Sequence, residues 1–70
     1  MVDMCYVDSS NIESIGYDPE SSQLYVCFLS TGTYVYGDVP ELLHADLMRA
    51  PSKGSYFNRM IKPVYNCQKL

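Results

Sequence analysis

The apolar residues of this chain change their spacing part-way along, from every second residue to every third or fourth. "NIESIGYD", residues 11–18, alternates, with Ile15 and Tyr17 on one face and Ile12 opposite. "LYVCFL", residues 24–29, is apolar on both faces and reads as a central strand. Between them "DPESSQ" is a turn, because Pro19 fixes its own φ and Asp18 and the serines bond to nearby backbone. "STG" then reverses the chain, with Gly32 free to take positive φ, and "TYVYG" returns as a third strand. Pairing Leu29 with Thr33 puts Leu24, Val26, Phe28, Tyr34 and Tyr36 on one sheet face. Tyr25, Cys27, Leu29 and Val35 then share the other.

From Asp38 the period becomes helical. In "DVPELLHADLMRA", Asp38 is the predicted N-cap, Glu41 completes a capping-box pattern and Pro40 is tolerated in the first turn. Val39, Leu43, Leu47 and Ala50 should face the sheet, and Asp46 falls close to that face. Pro51 stops this helix. Ser52 caps a second, "KGSYFNRMIK", which ends before Pro63 because a residue preceding proline avoids helical dihedrals. Phe57, Met60 and Ile61 form its apolar face, while Ser55, Asn58, Arg59 and Lys62 share the opposite one. The prediction is an α+β fold: a small antiparallel sheet of three strands followed by two short helices packed on one face. "VDMCY" near the start adds a short fourth strand at the edge, and residues 1–70 form a single domain.

Composition narrows the classes. An apolar share of 47% suits a globular core, and no apolar run approaches the length of a membrane helix. "MVDMCYVDSS" lacks the basic start and apolar core of a signal peptide. Cys5, Cys27 and Cys67 are odd in number and lack C-x-x-C spacing, so no disulfide scaffold, metal site or cofactor is expected, and a reducing cytoplasm fits. Seven tyrosines without a tryptophan imply half-buried surfaces. So short a chain leaves apolar surface that one small core does not cover, and a homodimer or larger homo-oligomer is expected.

Charge is divided along the chain. All eight acidic residues fall between Asp3 and Asp46, with Arg49 the one base in the first 50 residues, which leaves that stretch at −7. Lys53, Arg59, Lys62 and Lys69 follow with no acid among them and make the last 20 residues +4. Such asymmetry points to an anionic partner or to attraction between the two segments. No catalytic constellation is legible. His44 is the only histidine, the acids are scattered, and there is no phosphate-loop or dinucleotide motif, so a non-enzymatic module is expected.

The candidate chemistry lies in "SKGSYFN". A helix start presents unpaired N–H groups and a partial positive charge. Gly54 permits close approach to the backbone, Ser52 and Ser55 add hydroxyls, and Lys53 adds a charge. Asn58, Arg59 and Lys62 follow along the helix. Equally, Ser52 serves as a plain cap and Gly54 as a close packing point against the first helix. Tyr34 and Tyr36 share a strand face on which bases can stack, or pack beneath a helix with their hydroxyls at the rim.

Taken in order, Ser9-Ser10, Ile15-Gly16-Tyr17, Gly32, Tyr34-x-Tyr36, Val39-Pro40, Ser52-x-Gly54, Asn58, Ile61 and Tyr65 resemble the KTSC domain family. That family is named for the C-terminal extension of some lysyl-tRNA synthetases. The resemblance runs from about Val7 to Tyr65. It implies a compact module found alone in bacteria and phages or appended to other proteins, with a suggested role in RNA binding. The expectation is a module holding a phosphate-bearing ligand, either single-stranded RNA or a small nucleotide, at Ser52, Lys53, Gly54, Ser55, Asn58, Arg59 and Lys62, with Tyr34 or Tyr36 stacking. A phage sponge for a nucleotide signal fits this description. The alternative is a protein-interaction module, such as a phage-encoded inhibitor or adaptor, that uses the acidic half.

Overall fold

The computed structural model describes residues 2–70. Five strands form one antiparallel sheet in chain order: β1 (Cys5–Tyr6), β2 (Ile12–Asp18), β3 (Gln23–Phe28), β4 (Gly32–Tyr36) and β5 (Cys67–Lys69). Two helices, α1 (Glu41–Arg49) and α2 (Lys53–Met60), separate β4 from β5 and cover one face. The α+β order is as expected, with five strands rather than three or four. "VDMCY" supplies the edge strand β1. β5 carries no apolar alternation and all three of its residues are exposed. Its place is set by backbone pairing with β4, extended by Gly37 N–H to Asn66 O (3.1 Å) and Leu70 N–H to Thr33 O (2.9 Å).

The turns form for the reasons their residues supply. Asp18 Oδ1 accepts from Glu20 N–H at 3.1 Å and Ser21 Oγ donates to Asp18 Oδ2 at 2.9 Å, which closes the β2–β3 turn. Gly32 has φ +92° at the β3–β4 turn. There Phe28 pairs with Gly32 and Val26 with Tyr34, two residues out of the expected register. A slip of two preserves the faces, because side chains alternate with period two. Leu24, Val26, Phe28, Tyr34 and Tyr36 therefore still share the covered side. One residue did change sides. A β-bulge between Ile12 and Ser14 turns Ile12 inward with Ile15, and each is 1% exposed.

The first helix starts differently from its prediction. Asp38 does not cap it and instead has φ +58°; Pro40 occupies the N-cap position without a side-chain bond. Tertiary anchors outweigh the local capping pattern here. Val39 is fully buried, its N–H donates to Ser22 O at 2.9 Å, and its carbonyl accepts from the Tyr17 hydroxyl at 2.6 Å. Leu47 is buried and Leu43 packs beside it, as the spacing predicts. Asp46 turns outward and pairs with Arg49 at 2.8 Å, an exposed contact contributing little. On α2, Phe57 and Ile61 are buried, but Met60 is 42% exposed. Ser52 Oγ accepts from Ser55 N–H at 3.4 Å, so the predicted cap of this helix is present. Among the described residues no helix is long and apolar enough to cross a membrane.

Phe57 fastens α2 to the sheet. It meets Phe28 at 5.5 Å and Tyr36 at 5.2 Å, both edge to face. Phe57→Ala should cost about 3–5 kcal/mol. Urea denaturation checks this, and for so small a domain the variant should be largely unfolded without denaturant.

His44 stacks on Tyr17, with ring centroids 4.9 Å apart and planes 9° apart. Burial lowers its pKa below the ordinary 6.5, and the nearby Glu41 carboxylate opposes that shift. The folded chain thus favours the neutral ring. The stabilisation is fully present above the unfolded pKa and is lost as pH falls through it to the lower folded value. The melting temperature should therefore decline as pH falls below about 6.5, and His44→Gln should flatten that slope in thermal scans across the range.

Candidate ligand cleft at the start of the second helix

The start of α2 abuts a loop from the other end of the chain. In that loop Ser9 Oγ accepts from Asn11 N–H (3.4 Å) and Ile12 N–H (3.3 Å) and donates to Asn11 Oδ1 (3.0 Å). These bonds direct the Asn11 carboxamide toward the helix. A methyl group at Gly54 would sit 2.7 Å from Asn11 Oδ1 and 3.7 Å from Ser9 Oγ. Gly54 thus packs closely against the loop, at the Asn11 carboxamide. The expected packing against the first helix is replaced by packing against Ser9 and Asn11.

Two clefts open on either side of this contact. A polar cleft of about 470 Å³ is lined by Asp8, Ser9, Ser10 and Asn11 from the loop and by Ser52, Lys53, Gly54, Ser55 and Asn58 from the helix. An adjacent cleft of about 460 Å³ is lined by Phe28, Tyr34, Tyr36 and Phe57, by Ser30 and Thr31 of the β3–β4 turn, and by Lys62 and Cys67. Asn11 and Asn58 line both. The two carboxamides stand where aromatic and polar surfaces meet, each offering a donor and an acceptor.

The sequence-predicted residues are distributed unequally. Ser52, Gly54, Ser55 and Asn58 gather in the polar cleft, whereas Tyr34, Tyr36 and Lys62 line the aromatic one. The Lys53 ammonium donates to Ala50 O at 3.2 Å, closing the end of α1, so its charge is already engaged. Arg59 lines a third recess at the helix junction with Asp46, Arg49 and Tyr56, which shares Pro51, Ser52 and Ser55 with the polar cleft. The Tyr56 phenol there has a raised pKa, chiefly from burial and then from Asp46, with Arg59 opposing.

Tyr34 and Tyr36 differ as well. Tyr36 is 4% exposed, and burial together with the Cys67 thiol beside it pushes its phenol up to about 12. It forms the floor of the cleft. Tyr34 is half-buried, packs edge to face on Phe28 at 5.7 Å, and is the tyrosine with ring surface to offer. Ser9, Ser10 and Asn11 were absent from the predicted site. They lie some 40 residues from α2, and no spacing rule connects a polar turn to a helix start at that distance.

Substitution at Gly54 separates packing from cleft shape. Gly54→Ala should melt within about 1 kcal/mol of the parent, because helix propensity offsets displacement of one movable carboxamide. Gly54→Val cannot be accommodated by that movement and should cost about 1–3 kcal/mol. Urea denaturation of both variants checks the pair.

Comparison with known proteins places the whole arrangement. The KTSC domain model matches residues 8–65. A crystal structure of a KTSC domain protein from Yersinia pestis superposes with a TM-score of 0.98 at 43% identity, covering 100% of this chain and 99% of that one. A protein of Tsukamurella paurometabola is 39% identical over 64 residues, 91% of this chain and 96% of its own length. A lysine–tRNA ligase of Nostoc punctiforme is 35% identical over 63 residues, which are 90% of this chain and 11% of the ligase.

Proposed function

The chain belongs to the KTSC domain family, and we propose that it is a non-catalytic binding module for a phosphate-bearing nucleotide, free or within single-stranded RNA. The observation that carries this reading is the sharing of Asn11 and Asn58 by an aromatic-lined cleft and a polar one. A nucleotide joins a flat base to an anion. Tyr34 suits the base, the two carboxamides suit its edge, Lys62 in the same cleft as Tyr34 suits one phosphate, and the capped start of α2 in the polar cleft suits a second. Lys53 beside the polar cleft and Lys62 in the aromatic one favour an anion locally although the chain as a whole is acidic. A relative within a lysine–tRNA ligase, an enzyme acting on an RNA, favours the RNA form. Three free thiols suit a reducing cytoplasm.

The test is calorimetry against a panel of nucleotides and short RNAs. Lys62→Glu should cost about 1.5–3 kcal/mol of binding, through a lost charge-assisted bond and added repulsion. Tyr34→Ala should cost about 1–3 kcal/mol. Arg59→Glu, in the neighbouring recess, should cost less than Lys62→Glu. A steep salt dependence identifies RNA, and a shallow one identifies a free nucleotide. No heat with any member of the panel, or equal affinity of parent and Lys62→Glu, overturns the reading in favour of a protein partner at the acidic surface.

A further inference from the structure

The side of the sheet turned away from the helices is covered by no helix, and only the segment from Val2 to Met4 lies against it, over Gly16, where an added methyl would sit 2.6 Å from Met4 Sδ and from Val2 Cγ1. The strand register sends Tyr6, Ser14, Tyr25, Cys27, Thr33 and Val35 to this side. A groove of about 470 Å³ crosses it, lined among others by Met4, Tyr6, Tyr25, Cys27, Thr33 and Leu70. Tyr6 and Leu70, near opposite edges of the sheet, are 80% and 73% exposed. The chain carries 13 charged side chains, five basic and eight acidic, yet Asp18 is the only one of them in the groove's lining.

We propose that this face binds a second copy of the chain, across a two-fold axis. An isologous contact sets a patch against itself, so every charge on it meets its own sign near the axis. Chains of net charge −3 repel one another wherever their acidic surfaces approach. The groove is where that repulsion is weakest and where apolar area is available. A different protein would be selected by complementary charge, for which the side chains of this lining offer Asp18 alone. Size sets a further condition. A stable interface takes about 800 Å² from each partner. The molecule measures 28 × 22 × 22 Å, so its broadest face is roughly 600 Å² in projection and somewhat more as accessible area. The contact must therefore use the face from edge to edge, including both Tyr6 and Leu70.

Light scattering and sedimentation of the 70-residue chain in reductant test this, the reductant excluding crosslinks through Cys27. The parent should give a dimer mass at high micromolar concentration. Thr33→Arg, which places a charge within the groove, should weaken association by at least about tenfold while leaving the circular dichroism spectrum unchanged. Leu70→Glu should act in the same direction. Because Leu70 lies beyond the last strand and outside the core, that variant decides the matter should Thr33→Arg fail to fold. Met60→Arg, on the helical side, should associate like the parent. A monomeric parent, or a dimer that Leu70→Glu leaves intact, overturns the proposal.

Discussion

The seating of Phe57 on the sheet is the contact from which the rest of the architecture follows. It is the largest fully buried side chain, and it touches an aromatic on β3 and another on β4. An eight-residue helix has little intrinsic stability in water, so α2 persists because this face is buried. With Phe57 fixed, the helix axis is fixed, and its first turn must lie over the loop before β2. Position 54 is therefore where a side chain would meet the Asn11 carboxamide. The same ring also walls the aromatic cleft, so the core and the candidate site are built on one residue.

This economy follows from size. A chain of 70 residues, with one sheet and one helical layer, has no third layer with which to support a binding site independently of its core. Lys53 closes α1 while standing beside the polar cleft. Tyr36 is core on one side and cleft floor on the other, and the low polarity that shields its ring is what raises its phenol to about 12. Substitutions in such a site change stability and binding together. The informative variants are therefore those at exposed positions such as Lys62.

What was legible in the sequence is whatever side-chain periodicity encodes. The two faces of β3 and β4 were correct although their register was not, because a slip of two residues leaves alternation unchanged. The bulge at Glu13 inserts one residue, the one kind of error that periodicity cannot absorb, and it moved Ile12 into the core. β5 was invisible for the opposite reason. Its three exposed residues are placed by backbone bonds to β4, and backbone bonds leave no side-chain pattern. Asp38 and Glu41 matched a capping box, but the burial of Val39 and the Tyr17 hydroxyl settled where the helix begins. Half of the candidate cleft was legible, the half on α2, where cap, glycine and carboxamide fall within seven residues. Asn11 was not, because its role arises only when the first loop and the second helix meet in space.

The two proposed surfaces lie on opposite sides of the sheet, and this bears on how they combine. The clefts open on the side that carries α2, whereas the open groove lies on the other. A copy seated on that groove would leave both clefts facing outward, with no competition between self-association and ligand. Two outward clefts joined rigidly present two sites to one long strand, and binding at the second becomes intramolecular. A free nucleotide gains nothing from this arrangement, since it reaches one cleft at a time. If both proposals hold, dimerisation therefore raises affinity for a strand long enough to reach both clefts and leaves affinity for a mononucleotide unchanged. The physical difference is effective concentration, which depends on the span between clefts and on no additional contact.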